Sequence, residues 1–180
     1  MKLNNTLNNE ERRLFTRSLK LNRSDPWIIC IEILLRTGMR TEELTKLNKE
    51  HINENRNTIF ITAAKGSKDR IVPVDKHFTR AILTVFPKSV METFGMTPKT
   101  FKRSLARRFD KFKLSTLGYG FKHLTLHGMR AAFAQAIYEN CDNDVMLVKD
   151  LLGHKGIQNT MAYVRSLDME KKFTKIKGAI

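Results

Sequence analysis

A histidine and an arginine, His127 and Arg130, lie three residues apart at the start of a segment that reads as a helix. Side chains at positions i and i+3 of a helix lie on nearly the same face. Apart from this pair, the residues on that face are alanines, which leave room for a phosphate group to approach. A second pair with the same spacing, His77 and Arg80, has no such surroundings. Either pair could also be an ordinary solvated basic helix face.

A second histidine, His154, directly follows a Leu-Leu-Gly sequence. That sequence is typical of a helix end, because glycine readily takes the left-handed conformation there. We therefore expect His154 on a turn, exposed enough to react. Tyr163 comes nine residues later on the next predicted helix. Its hydroxyl is either an ordinary surface group or, with a base and cationic groups nearby, a nucleophile.

Two further basic residues lie where the chain changes direction. Arg40 comes just after the helix break at Thr37-Gly38, and Lys65 lies in a predicted hairpin turn. Taken alone, neither residue is distinguishable from a solvated surface cation. Lys68 competes with Lys65 for any role in that turn.

The balance of charge favours a polyanionic partner. The 180 residues include 33 Lys and Arg against 18 Asp and Glu, which gives a net charge of +15. Such an excess destabilises a compact chain by self-repulsion unless an anion offsets it, and nucleic acid is the first candidate. A basic protein-binding surface and an anionic membrane surface are the alternatives. One predicted helix concentrates basic residues that would grip phosphates or form a solvated face: Lys102, Arg103, Arg107 and Arg108.

Cysteine usage and the N-terminus favour an intracellular protein. Cys30 and Cys141 lie in apolar helical contexts and are expected to be buried free thiols in a reducing cytoplasm. No Cys/His cluster indicates a metal, and no cofactor is expected. The first residues lack the apolar stretch of a signal peptide, and no run approaches the roughly 20 apolar residues of a membrane span.

The apolar pattern predicts an α+β fold that is mostly helical, with a small antiparallel β-sheet. A first helix is expected with Asn9 as its N-cap. A second is expected to start at Asp25-Pro26, with the acid at the cap, and it is apolar almost all round. A short helix is expected over Thr41–Leu47, and two strands over Asn57–Ala64 and Asp69–Val74. The stretch 113–126 is expected to be a loop. Further helices are predicted near 76–86, 98–112, 127–141, 144–152, 157–165 and 168–177.

Taken together and in order, these motifs resemble the tyrosine recombinase (phage integrase) family. The family motifs are an arginine in a TG-x-R-x-x-E-L segment, a lysine in a β-hairpin, His-x-x-Arg, and LLGH followed by a tyrosine. They stand here at Arg40, Lys65, His127 with Arg130, His154 and Tyr163. The resemblance covers roughly residues 10–167. Each motif is common, but the ordered set with these spacings is highly specific.

The resemblance implies site-specific recombination of double-stranded DNA through a 3′-phosphotyrosine at Tyr163, without a metal. Arg40 and Arg130 would hold the phosphate, because a guanidinium matches its oxygens and stays charged. His154 would add a donor and His127 would act as the base. Lys65 would protonate the leaving 5′-oxygen, and Glu43 would pair with a cation of the site and orient it. Lys68 and the basic helix would contact DNA.

The expected organisation is a single catalytic domain over residues 1–180, with a C-terminal helix at 168–180 that docks on a neighbouring protomer or on its own domain. The N-terminal core-binding domain that most family members carry is not expected in this chain. On DNA a homotetramer is expected, with a monomer in solution as an alternative, in the cytoplasm near the nucleoid. Type IB topoisomerase-like nicking and a catalytically silent DNA-binding module are the competing functions.

Overall fold

The computed structural model describes residue 7 and the residues 9–117, 121, 123–161 and 164. The strands of its sheet are β1 (Ile52–Asn53), β2 (Thr58–Ile61) and β3 (Arg70–Pro73). The α-helices are α1 (Asn9–Leu21), α2 (Pro26–Thr37), α3 (Thr41–Leu44), α4 (Lys76–Val85), α5 (Val90–Phe94), α6 (Pro98–Phe112), α7 (Leu126–Asn140) and α8 (Val145–Leu152). A 3-10 turn lies at Lys49–His51 and a π-helical turn at Lys113–Leu117.

Helix α2 lies at the centre of the fold. It packs against α1, α4, α6 and α7, and ten of its twelve residues are buried. A helix that is apolar all round can be stable in water only when other elements cover every face. Its N-terminus is fixed by Asp25, whose side chain accepts a hydrogen bond of 2.9 Å from the backbone N–H of Trp27.

One charged side chain lies inside this helix. Glu32 is fully buried, and its carboxylate accepts hydrogen bonds from Arg23 at 2.5 and 2.7 Å and from Arg36 at 2.7 Å. Arg36 also reaches Asp75, the N-cap of α4, at 2.6 Å. A buried carboxylate is tolerated only when it is paired and hydrogen-bonded, so these contacts fix α4 against α2.

The three strands form an antiparallel sheet in the order β1-β2-β3. Ile59 and Ile61 of β2 and Val72 of β3 point into the core, whereas Phe60 and Ile71 on the opposite face are exposed. This alternation is the burial pattern of a sheet that covers the core with one face.

Most of the predicted elements are confirmed. The helices expected near 76–86, 98–112, 127–141 and 144–152 are α4, α6, α7 and α8, each within one residue of its predicted ends. Of the helix predicted over 157–165, the backbone at 158–161 and at 164 is helical. The helix predicted over 168–177 lies outside the described residues.

Several elements differ from the prediction. Strand β1 and helix α5 were not expected, and both are too short to show a period. The loop predicted over 113–126 begins with the π-helical turn, which continues α6 through the buried Lys113. Helix α3 ends at Leu44 rather than Leu47. Cys30 is buried as predicted, but Cys141 is only half-buried. Among the described residues, no helix is long and apolar enough to cross a lipid bilayer.

Two glycines that end helices allow a test of packing beside α2. Gly38 after α2 and Gly95 after α5 both have positive φ, at +61° and +57°. A Cβ at Gly38 would lie 2.4 Å from the Phe133 ring, whereas a Cβ at Gly95 would meet nothing within 4 Å. We expect Gly95→Ala to lower the free energy of unfolding by about 1 kcal/mol, and Gly38→Ala by roughly 2 kcal/mol more because of the clash. Urea denaturation of both variants measures this difference, and equal losses would contradict it.

Candidate active site

The guanidinium of Arg130 lies between the C-terminal ends of two helices. Arg130 is 2% exposed and donates hydrogen bonds of 2.5 Å to the carbonyl of Gly38 and 2.6 Å to the carbonyl of Leu152. These carbonyls follow α2 and end α8, where helix dipoles concentrate negative potential. The buried charge is therefore compensated, and its orientation depends on α2, α7 and α8 together.

Arg40 follows Gly38 by two residues and is the N-cap of α3. Its backbone N–H donates to the carboxylate of Glu43 at 2.7 Å, and its Nη1 lies 3.5 Å from the same carboxylate. This Nη1 is buried and makes no hydrogen bond to any described residue. Arg40 thus combines a fixed backbone with a guanidinium that is partly exposed.

The carboxylate of Glu43 organises the cations around it. Arg70 donates two hydrogen bonds to it, at 3.0 and 2.8 Å, and the Ser67 hydroxyl donates a third at 2.9 Å. Burial alone would raise the pKa of Glu43. The hydrogen bonds from Arg70, Arg40 and Ser67 and the charge of Arg70 outweigh it and lower the pKa to about 2. Glu43 therefore stays ionised and pairs with Arg70 more closely than with Arg40.

The loop between β2 and β3 carries Lys65 at its exposed tip. Two contacts hold the part of the loop that follows this tip. Ser67 is buried and forms a β-bridge with His154. The backbone N–H of Lys68 donates a hydrogen bond of 2.9 Å to the carbonyl of Gly153. The side chain of Lys68 is exposed. The structure therefore places Lys65 beside the segment that holds His154.

His154 is 4% exposed, so the expectation of an exposed histidine is wrong. The turn itself is as predicted, since Gly153 has a φ of +66° and caps α8. The loop from β2 to β3 covers the turn, and Nδ1 of His154 lies 2.8 Å from the Thr160 hydroxyl. Burial lowers the pKa of His154 to about 4, and the charges of Arg130, Arg40 and Arg70 act in the same direction. Its imidazole is neutral at pH 7.

His127 is the second residue of α7 and is exposed. Thr125, the N-cap, accepts a hydrogen bond of 3.0 Å from the backbone N–H of Gly128 and fixes the helix start. Partial burial of the His127 ring lowers its pKa below the usual value, and the charges of Arg130 and Arg40 lower it further. A neutral imidazole beside two guanidiniums can accept a proton.

A cleft of about 350 Å³ brings several of these groups together. Its lining includes Arg40, His127 and Arg130, which lie up to 90 positions apart in the sequence. The remaining lining residues are Met39, Thr41, Glu42, Lys102 and Leu126. Lys102 bonds to Glu42 at 3.0 Å. The cleft is thus rich in hydrogen-bond donors and cations, which suits an anion.

The basic residues of α6 do not share one face. Phe101, Leu105 and Phe109 bury one side of the helix. Lys102 lies on the flank that lines the cleft. On the other flank Arg107 and Arg108 line a separate depression beside Trp27, and the Arg108 guanidinium lies 5.9 Å from the Trp27 ring centroid.

Arg103 is exposed, and helical geometry points it away from the buried side of α6. The structure therefore joins only Lys102 of these four residues to the cleft. Tyr163, the predicted nucleophile, lies outside the described residues.

Three contributors to the site were not predicted from the sequence. Arg70 was assigned to a strand, although its position at the start of β3 places it beside Gly153. Ser67 was counted as a turn residue. Thr160 lies three residues before Tyr163 and carries no signal of its own. Only the three-dimensional contacts distinguish them from ordinary polar residues.

A helical domain that presents two arginines and a histidine around one cleft is suited to binding a phosphate. A model of the phage integrase family matches residues 2–170. The chain belongs to the phage integrase family.

Several similar proteins are tyrosine recombinases. The chain is 29% identical over 147 residues to tyrosine recombinase XerA of Thermococcus kodakarensis, covering 76% of this chain and 50% of that protein. It is 29% identical over 170 residues to a tyrosine recombinase of Pseudothermotoga lettingae, covering 92% and 57%. The chain therefore spans about half the length of the curated relatives it matches.

Solved structures share the fold. The post-cleavage complex of XerH site-specific recombinase bound to palindromic difH substrate matches with a TM-score of 0.74 at 22% identity, covering 99% of this chain and 54% of that one. The crystal structure of XerA recombinase matches with a TM-score of 0.66 at 21% identity, covering 94% and 64%.

The low pKa of His154 predicts a pH-dependent stability. Its folded value of about 4 lies below the ordinary 6.5, so the unfolded chain binds the proton more tightly. This contribution is complete above pH 6.5 and is lost as the pH falls toward 4. The contribution of this titration to the free energy of unfolding amounts to roughly 3 kcal/mol. Urea denaturation across this pH range should show a shallower decline in His154→Gln than in wild type.

The matched control is His77→Gln, which removes an exposed histidine from α4. The free energy of unfolding of this variant should fall with pH as that of wild type does. A His154→Gln variant with an unchanged pH profile would show that His154 titrates normally.

Proposed function

We propose that this chain is the catalytic domain of a site-specific tyrosine recombinase, which cleaves and rejoins double-stranded DNA without a metal. The observation that carries the proposal is the single cleft lined by Arg40, His127 and Arg130. Membership of the phage integrase family supports the same reaction class.

The cationic groups of the cleft would bind the scissile phosphate. In the transition state of phosphoryl transfer, negative charge increases on the non-bridging oxygens, and fixed donors stabilise it. Arg130 is oriented in advance by two carbonyls, and Arg40 has a buried Nη1 without a hydrogen bond to the described residues. His154, buried among the same arginines, would add a third donor. Glu43 would hold Arg40 and the loop of Lys65 in place.

Tyr163 would be the nucleophile. Its oxygen attacks phosphorus, the bond from phosphorus to the 5′-oxygen breaks, and a 3′-phosphotyrosine forms. A phenol with an ordinary pKa of about 10 is a poor nucleophile until its proton is removed. His127, whose pKa is lowered in the cleft, would accept that proton.

Lys65 would give a proton to the departing 5′-oxygen. It is exposed at the tip of a loop whose base is fastened to Gly153 and His154, and a DNA strand bound in the cleft would pass this tip. The 5′-hydroxyl of a second strand then attacks the phosphotyrosine, releases Tyr163 and completes strand exchange. The phosphodiester energy is conserved, so no nucleotide cofactor is consumed.

Partners and setting follow from this reaction. Exchange between two duplexes requires four strand cleavages, and we infer that four copies assemble on DNA as a homotetramer from monomers in solution. Lys68, Lys102, Arg103, Arg107 and Arg108 would contact DNA phosphates. Residues 1–180 would act as one catalytic domain, whose C-terminal helix at 168–180 docks on a neighbouring protomer or its own domain. The reaction would integrate, excise or invert DNA of a phage or another mobile element in the cytoplasm.

The recombinase names of the relatives favour this function over topoisomerase-like nicking and resealing. The presence of the full ordered set of motif residues also disfavours a catalytically silent DNA-binding module.

Covalent trapping tests the nucleophile. Nicked suicide duplexes tiled across the DNA that flanks the gene are incubated with the chain and separated on a denaturing gel. We expect a covalent protein–DNA band with wild type and none with Tyr163→Phe, because the phenylalanine has no oxygen to attack phosphorus. Tyr138→Phe, on α7, is the matched control and should keep the band.

A band that persists in Tyr163→Phe would exclude Tyr163 as the nucleophile. The absence of any band with folded wild-type protein and a duplex that it binds would refute the proposed chemistry. Exchange of labelled strands between two duplexes then separates recombination from simple resealing.

The two flanks of α6 make different predictions for DNA affinity. We expect Lys102→Ala to weaken binding and to reduce the slope of log K against log salt by about 1, because a lysine at the cleft would neutralise one phosphate. Arg108→Ala, on the flank beside Trp27, should change the slope less, because its guanidinium packs over the Trp27 ring away from the cleft and would neutralise a phosphate only in part. Fluorescence anisotropy of a labelled duplex over a salt series measures both. A larger effect of Arg108→Ala would place the DNA on the Trp27 flank instead.

A further inference from the structure

The side chain of Thr160 contacts the ring of His154 within the core of the site. The Thr160 hydroxyl oxygen lies 2.8 Å from Nδ1 of His154, and both residues are buried, at 0% and 4% exposure. Because Nδ1 faces Thr160, any hydrogen bond from this ring to a phosphate must come from Nε2. That nitrogen can donate only when it carries a proton.

Thr160 lies in the first turn of its helix, and among the described residues its hydroxyl contacts His154 and no backbone carbonyl. The backbone hydrogen bonds of this helix begin at the carbonyl of Ile157, which accepts from Thr160 and Met161 at 2.9 Å. Threonines elsewhere differ. The hydroxyls of Thr79 and Thr93 donate to the carbonyls four residues earlier, at 3.1 and 2.9 Å. The proton of the Thr160 hydroxyl is therefore available to the imidazole.

The surroundings of His154 disfavour an imidazolium. Its burial comes first, and the guanidiniums of Arg130, Arg40 and Arg70 add positive potential that the carboxylate of Glu43 offsets in part. A neutral imidazole has one proton to place on two nitrogens. A hydroxyl that donates to Nδ1 leaves that proton on Nε2.

We propose that Thr160 is a positioning residue, which donates its hydroxyl proton to Nδ1 of His154 and thereby holds the ring as the Nε2–H tautomer. The assignment of the tautomer does not depend on the recombinase function. Its catalytic consequence, a hydrogen bond from Nε2 to the scissile phosphate, rests on the proposed recombinase function. Partners that orient a histidine in this way typically change activity by roughly 10- to 100-fold, by analogy with the histidine ligands of metals.

The tautomer is tested first, without DNA. Long-range proton–nitrogen NMR spectra of the full chain with labelled histidines, recorded at pH 7 and assigned with His154→Gln, report which ring nitrogen carries the proton. We expect Nε2–H in wild type and in Thr160→Ser, which keeps the hydroxyl. In Thr160→Val, which is nearly isosteric but has no donor, we expect Nδ1–H or a mixture. A wild-type ring protonated on Nδ1 would overturn the proposal, and this outcome does not depend on how the Thr160 variants fold.

The kinetic consequence is tested with the suicide duplex that wild type cleaves. Thr160→Val should form the covalent complex at least 10-fold more slowly at saturating DNA while binding the duplex with unchanged affinity, and Thr160→Ser should restore the rate. Thr79→Val is the matched control, since Thr79 is equally buried and its hydroxyl binds a carbonyl in α4. It should cleave as wild type does.

The outcomes separate the two proposals. Thr160→Val that cleaves at the wild-type rate would overturn the positioning role. A wild-type chain with the Nε2–H tautomer that forms no covalent complex with a bound duplex would refute the proposed function and leave the assignment of the hydrogen bond supported.

Discussion

A guanidinium that is almost fully buried has to be compensated on every side, because an uncompensated charge in a protein interior costs several kcal/mol. Arg130 meets this constraint by donating to the carbonyls of Gly38 and Leu152. The requirement fixes the C-terminal ends of α2 and α8 relative to α7. Gly38 has to take the left-handed conformation against Phe133, and Leu152 has to end α8 at the next left-handed glycine, Gly153. The backbone conformations at Gly38 and Gly153 and the position of the Arg130 guanidinium therefore depend on one another.

An anionic side chain, Glu43, and a neutral one, His154, lie near this cation. Glu43 is held ionised by Arg70 and Ser67, and it connects the start of α3 to the loop from β2 to β3. His154 is neutral because it is buried and because the same arginines add positive charge around it. With one carboxylate shared between two guanidiniums and uncharged imidazoles beside them, the cleft keeps an excess of positive charge. An incoming phosphate would supply the missing negative charge.

The sequence predicted the elements whose signals are local. The apolar body of α2, its Asp25-Pro26 start and the amphipathic pattern of α6 each depend on neighbours within one or two turns. Strand β1 was missed because its two residues form a strand only by pairing with β2. The candidate site shows the same limit. The motif residues were recognised by order and spacing, whereas Arg70 and Thr160 act through partners that lie 27 and 6 positions away. The exposure expected for His154 was wrong because the covering loop comes from a distant part of the chain.

The position of Arg130 also bears on when the protein could become active. Its two carbonyl partners belong to segments that are separated by more than a hundred residues, and neither is in place until α2 and α8 have docked on α7. A chain that is still being synthesised, or one that has partly unfolded, therefore has no assembled phosphate site. For a protein proposed to break DNA strands, the docking of α2 and α8 on α7 would therefore be a precondition for cleavage: copies in which these helices have not docked would leave the chromosome intact.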